Sequence, residues 1–122
     1  MRAVKSRNTG PEMKVRRLVH ALGRRYRLYR KDLPGKPDLV FTTKRRVIFV
    51  HGCFWHGHDC SRGDRLPKTN SSYWRTKIDR NRKRDTAALH ALKSNHWSPL
   101  IVWECELKNL PKLSRRLRRF LR

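Results

Sequence analysis

Acidic residues are scarce in this sequence. Nine Asp plus Glu face 32 Lys plus Arg in 122 residues, a formal net charge of +23. A chain so one-sided repels itself unless it meets a polyanion. Neutralising phosphates releases counterions and makes such binding salt-dependent. Long apolar runs are also missing. Stretches such as Val47-Ile48-Phe49-Val50 stop after four or five residues, where a membrane-spanning helix needs about 20. The opening Met1-Arg2-Ala3-Val4-Lys5 has none of the apolar character of a secretory signal. Cysteine is limited to three, and an odd number without an export signal points to reduced thiols or metal ligands. Basic residues are spread over the whole chain instead of one amphipathic helix, which disfavours an acidic membrane surface. The expected partner is a polyanion met inside the cell, most simply a nucleic acid, with no membrane. Charge alone does not separate an enzyme from a small ribosomal or chromatin-type protein.

No linker, internal repeat or low-complexity segment divides the chain, so residues 1–122 are expected to form one domain. Thr9-Gly10-Pro11-Glu12 has the form of a capping box with proline in the first turn. Val15, Leu18, Val19 and Leu22 follow at helical spacing, and Gly23 is the expected stop. Residues 26–30 read as a short strand. Leu33-Pro34-Gly35-Lys36-Pro37 reads as a rigid turn delivering Asp38 to a strand, Leu39-Val40-Phe41-Thr42. Thr43-Lys44-Arg45 suits a hairpin tip, and residues 46–51, β-branched and aromatic, form the strongest strand. Loops are expected over 51–60, where Gly52 and Gly57 break the periodicity, and onward to Ser71. A helix capped by Ser71 or Ser72 then runs to about Lys93, with Trp74, Ile78, Leu89 and Leu92 as its apolar residues. Leu100-Ile101-Val102-Trp103 reads as a buried strand and residues 110–121 as a basic C-terminal helix. The order predicts an α/β sandwich, a mixed sheet flanked by helices.

Cys53, His58, Cys60 and the distant Cys105 make a four-ligand set able to complete a tetrahedral zinc shell. The first three lie on a loop between glycines that can turn them inward. Cys105 follows a buried strand, so a metal would tie loop to sheet. Cysteines are often mere core residues, but two of these three sit in a Gly- and His-rich loop. With all four positions filled by protein, such a site is structural. His51 and His56 flank Cys53 without being needed for that shell. Imidazoles can move protons near neutrality; alone, each could equally be packed or contact phosphate. Asp38 at a strand start suits Mg²⁺, which takes a few carboxylates plus water and substrate phosphate, or it stabilises its turn. Glu12 reads as a cap or as a second acid. His20, His90 and His96 read as ordinary helix or loop residues.

Four blocks carry a resemblance. Pro34-Gly35-Lys36-Pro37-Asp38 comes first, then Val47-Ile48-Phe49-Val50-His51-Gly52-Cys53-Phe54-Trp55-His56-Gly57-His58-Asp59-Cys60. Tyr73-Trp74 with Lys77-Ile78 follows, and Val102-Trp103-Glu104-Cys105 closes the set. In that order they resemble the very-short-patch repair (Vsr) mismatch endonucleases, from about residue 1 to 107. The resemblance implies a three-layer, restriction-endonuclease-like α/β sandwich with a structural zinc site. It implies an enzyme that nicks one strand 5′ to the T of a T·G mismatch left by 5-methylcytosine deamination. The double-stranded DNA carrying that mismatch is the implied partner, with mismatch-repair proteins as further partners by family analogy. A nick needs one active centre, so a monomer is expected.

Carried over, Asp38 resembles the Mg²⁺-binding carboxylate, with a backbone carbonyl at Val50 as the neighbouring metal ligand. His51 and His56 resemble the histidines assisting hydrolysis, and Glu12 an acid near the active centre. Cys53, His58, Cys60 and Cys105 resemble the zinc ligands. Phe54, Trp55 and Trp74 resemble an aromatic wedge, which costs less to insert at a mismatch because stacking is already weakened there. The sequence departs from the family in three respects. Val50 stands where a Thr is common. The chain starts without most of the arm expected to embrace DNA. No Glu-x-Lys follows Asp38, a pattern the wider nuclease superfamily often carries. Three alternatives remain: a homing or restriction-type nuclease on matched DNA, a zinc-stabilised DNA-binding protein with weakened catalysis, and, ranked lowest for want of RNA-type aromatic sheet signatures, a basic RNA-binding protein.

Overall fold

The computed structural model describes residues 10–28, 30–58, 60 and 68–122. Three strands form one mixed sheet in the order β1 (Leu39–Phe41), β2 (Arg46–His51), β3 (Ser98–Trp103). The first two are antiparallel, and their turn closes with Arg45 N–H on the Thr42 carbonyl at 3.2 Å. β2 and β3 are parallel, with Arg46 opposite Ser98 and His51 opposite Trp103. Parallel neighbours need a crossover, and here it carries the 24-residue α2 (Ser71–Ser94). The chain opens with α1 (Gly10–Ala21) and closes with α3 (Leu110–Phe120).

Strand alternation sorts the core into two sides. Leu39, Phe41, Ile48 and Val102 pack with Val15 and Val19 of α1 and with Leu113, Leu117 and Leu121 at the chain's end. Val40, Val47 and Phe49 pack with Leu92 of α2, Trp97 and Leu33. The sheet therefore has α1 and α3 on one face and α2 on the other. α2 is thinly anchored: only Ile78 and Leu92 are buried along it. Its long basic flank stays in solvent.

Several expectations need correction. Residues 26–30 do not form a strand among the described residues. Arg27 exchanges two hydrogen bonds with Val40 (2.8 and 2.9 Å) as an isolated bridge. The three-residue β1 offers too short an edge for a longer ladder. Neither Ser71 nor Ser72 caps α2; Asn70, at φ 57, precedes the helix without a side-chain cap, and Ser71 is its first residue. A 3₁₀ turn, Glu104–Lys108, intervenes between β3 and α3, so Cys105 sits on that turn. Thr9, and the proposed loop over 61–67, lie outside the described residues. Gly23, at φ 75, follows α1 as expected. No described helix is long and apolar enough to cross a membrane.

Candidate active site and metal centre

The Pro34–Pro37 turn works as read. Lys36 N–H closes it on the Leu33 carbonyl at 3.2 Å, and Asp38 N–H bonds the Ile48 carbonyl at 3.0 Å. Gly35 is at φ 76, and a Cβ there would stand 2.8 Å from the Ala88 Cβ of α2. The turn is thus wedged against α2, leaving Asp38 at the strand start. Its Oδ2 accepts from the Val50 N–H at 2.7 Å. Burial, above all, lifts the Asp38 carboxyl to about 7. The Val50 N–H and Arg16 pull the other way, while the Glu12 carboxylate beside it adds to the rise. Glu12 is 2% exposed and paired with Arg16. It is therefore a buried acid facing Asp38 and not a surface cap. Two carboxylates forced together in a dry site favour a shared proton or a bound cation. That donor chemistry fits a hard divalent ion.

The 370 Å³ cavity beside Asp38 is also lined by Val50, His51, His56, Asn81 and Asp85. The imidazoles of His51 and His56 stack at 3.8 Å, 4° from parallel. His51 is buried, and its Nδ1 has no hydrogen-bond partner among the described residues. Burial first, then the neighbouring His56, lowers its pKa to about 4, against a smaller pull from Asp85. His51 is accordingly neutral. His56 Nδ1 lies 2.6 Å from Asp85 Oδ2. A carboxylate only accepts, so this contact puts a proton on Nδ1 and directs Nε2 away from Asp85.

Asp85 was absent from the sequence reading. It sits 29 positions from His56 in the basic run Arg82-Lys83-Arg84 and looks like part of a solvated face. One signal was available. Ile78, Asn81, Asp85, Leu89 and Leu92 recur at three- and four-residue steps, so Asp85 occupies the inward stripe of α2.

The loop after β2 divides its side chains between two sites. Cys53, His58 and Cys60 converge with Cys105, their donor atoms all within 4.8 Å of one another. Cys105 Sγ is 3.6 Å from His58 Nδ1, close to the edge of about 3.5 Å that tetrahedral zinc bond lengths require. Burial, chiefly, pushes the Cys53 thiol up to about 12, with Cys60 and Cys105 adding to the rise against a Cys105 backbone bond. A cation would reverse that by stabilising thiolate. These residues could hold a metal.

Phe54, Trp55 and Trp74 pack as a trio, with centroids 5.2–5.7 Å apart. They are half-buried, neither core nor fully free. Tyr73, unassigned by the sequence reading, extends the trio and is 57% exposed. Lys77 Nζ lies over three of these rings at 5.4–6.0 Å. The Asn81 amide holds the Trp55 carbonyl at 2.9 Å, fixing the loop to α2. Gly57, at φ 60, comes so near α2 that a Cβ would lie 2.7 Å from Ile78 Cγ2.

Buried acids, a carboxylate-oriented imidazole and a cationic surround make a phosphodiesterase centre chemically reasonable, and comparison with known proteins fixes the class: the chain is an endonuclease. The family model described as DNA mismatch endonuclease Vsr matches residues 1–62. The type II nicking enzyme V.XorIIP of Xanthomonas oryzae is 53% identical over 121 residues, covering 99% of this chain and 88% of that one. V.NmeAIP of Neisseria meningitidis, also a type II nicking enzyme, is 41% identical over 122 residues, covering 100% and 86%. The DNA mismatch endonuclease Vsr of Escherichia coli is 40% identical over 114 residues, covering 93% and 72%. The chain belongs to the Vsr endonuclease family and acts on DNA.

Proposed function

We propose that this enzyme nicks one strand of duplex DNA on the 5′ side of the T in a T·G mismatch, using Mg²⁺, with zinc as a structural ion. The observation that carries the reading is one cavity lined by Asp38, His51, His56 and Asp85, fed by the loop that also bears Phe54 and Trp55. A relative named as a mismatch endonuclease and others named as nicking enzymes support it. Asp38, with the Val50 carbonyl, would hold Mg²⁺, beside the buried Glu12 carboxylate. When bound there, the ion polarises the phosphoryl group and offsets charge on the leaving oxygen.

His56 takes the proton from water at Nε2, and Asp85 keeps it in the required tautomer while stabilising the imidazolium. Neutral His51 supports the His56 ring by stacking and offers a nitrogen to the reacting groups. Cys53, His58, Cys60 and Cys105 hold zinc, completing four positions, so that ion takes no water and serves the loop alone. Phe54, Trp55 and Trp74 enter the weakened stack beside the mismatch and recover contact with exposed base faces. The restriction-endonuclease-like sandwich is supported by helices on both faces of the mixed sheet. A single domain acting as a monomer in the cytoplasm suffices for one nick.

The test is a nicking assay on duplexes carrying each mismatch and on a fully paired control, with and without Mg²⁺. Selective, Mg²⁺-dependent nicking of the T·G duplex is expected. Equal nicking of paired DNA would instead indicate a restriction-type nuclease, and tight binding without nicking a DNA-binding protein.

A further inference from the structure

The described surface has a second concavity, unused by the site above. It encloses about 1030 Å³ and is lined by His20, Arg24, Arg25, Arg27, Arg30 and Thr42, among others. It shares no lining residue with the catalytic cavity. The two differ sharply in charge. In the catalytic cavity Lys36 and Arg84 are offset by Asp38 and Asp85, whereas the second lining has four arginines and no carboxylate. Arg30 pairs with Asp32, outside the lining. Arg24, Arg25 and Arg27 form no ion pair with any described residue.

Position separates the cavities as well. From Glu12 to His20 α1 advances about 12 Å, and from Asp38 to Thr42 the chain advances about 13 Å. The groove begins at Val40, two residues on from Asp38, and its arginines extend away from the catalytic cavity along the β1 edge. The arginines are not on a loose tail. Arg27 is fixed by its two hydrogen bonds to Val40, and Tyr26 packs edge-on against Phe41 at 6.4 Å. That packing ties Tyr26 to the core, and among the described lining residues guanidinium groups outnumber aromatic rings. The groove offers guanidinium forks, which suit phosphate oxygens.

The geometry points to a second duplex-DNA site, in which this groove grips the sugar–phosphate backbone of a segment other than the one held at the catalytic cavity. The choice of DNA rests on the endonuclease class, but the site does not depend on mismatch specificity. One protein holding two segments can pass between them without full release, shortening its search.

The experiment is binding stoichiometry by analytical ultracentrifugation, using the whole chain and a fully paired 20-base-pair duplex at low salt. Two duplexes per protein are expected. The R24Q/R25Q/R27Q protein should bind one, with the second binding event weakened at least about tenfold and its salt slope reduced by about 2.7 for three lost phosphate contacts. A charge-matched control on α3, R115Q/R118Q/R119Q, should keep both. Unchanged thermal melting of both variants certifies folding. Stoichiometry is read without cleavage, so failure of the nicking assignment would leave this result untouched. One duplex per wild-type protein would overturn the site. So would equal loss of the second duplex in the α3 control, or its displacement by single-stranded RNA at lower concentration than by duplex DNA.

Discussion

Two donor clusters meet across the short loop after β2, and their chemistry differs. The Cys53, His58, Cys60 and Cys105 knot offers four donors able to hold a metal, three of them thiols, within 4.8 Å of one another. The neighbouring cluster, His51, His56 and Asp85, has only nitrogen and oxygen donors and opens on the cavity that Asp38 also lines. A closed sulfur-rich shell suits a structural ion, while an open hard-donor site suits chemistry at a phosphate. Residues alternate in allegiance along the loop: Cys53 to the knot, Phe54 to His56 to the working side, His58 and Cys60 back to the knot. The difference teaches that stiffness and reactivity are kept on separate side chains but share a backbone. Disturbing each cluster in turn should therefore give distinguishable defects.

The largest effect is expected at the open cluster. Asp38→Ala should lower the nicking rate about 10³-fold or more, the scale of removing a preorganised electrostatic group. Zinc content and T·G duplex affinity should be retained. Quantitative nicking beside a gel-shift measurement checks this, and an unchanged rate would remove Asp38 from the mechanism.

Next comes the knot. Cys105→Ser should lose most bound zinc by elemental analysis and melt at a lower temperature, because metal affinity is coupled to folding. Nicking should fall about 10²-fold through displaced working residues. A variant with full zinc and normal melting would contradict the ligand set. This defect differs from that of Asp38→Ala, which should leave stability intact.

How much of this was readable beforehand depends on how local the signal is. The knot was legible because three of its donors lie within eight positions and Cys105 comes just after a recognisable strand. Asp38 was legible because a proline–glycine turn has few ways to end. Glu12 was half-legible: acids early in helices usually cap, and only tertiary packing turns this one toward Asp38. Asp85 was missed because flanking arginines mask its place on the inward stripe of α2. The second groove was invisible for a similar reason, since a chain with 32 Lys plus Arg gives no sign of which arginines a sheet edge will gather. The strand expected over 26–30 failed because propensity cannot reveal how short its partner is.

Asp85→Asn sharpens the contrast within the open cluster. The amide can hold the ring but removes the charge that steadies imidazolium, so kcat should fall about tenfold to a hundredfold, the lower reach of general-base contributions. KM and zinc content should be unchanged. Loss of affinity instead of rate would make Asp85 a DNA-contact residue. Trp74→Ala should do the reverse, weakening T·G duplex binding about tenfold, near the lower end for a lost base–aromatic stack. Fully paired DNA should be affected less, and equal weakening on both duplexes would argue against a wedge.

The smallest effect tests the joint between the clusters. His58 of the knot stacks on Trp103 at 4.0 Å, and the same indole meets His51 at 5.3 Å and His56 at 6.3 Å, both nearly edge-on. Trp103 thus touches both clusters, and through it the knot is expected to fix the tilt of the two imidazoles. A phenyl ring preserves part of the stack but is too small to meet all three partners. Trp103→Phe should lower kcat about twofold to tenfold, on the scale of about 0.5–1.5 kcal/mol for a lost aromatic pair, and lower melting by a few degrees, with KM and zinc content held. If kcat does not move, the clusters communicate through the loop backbone alone; if zinc is lost with it, Trp103 serves the knot and not the histidines.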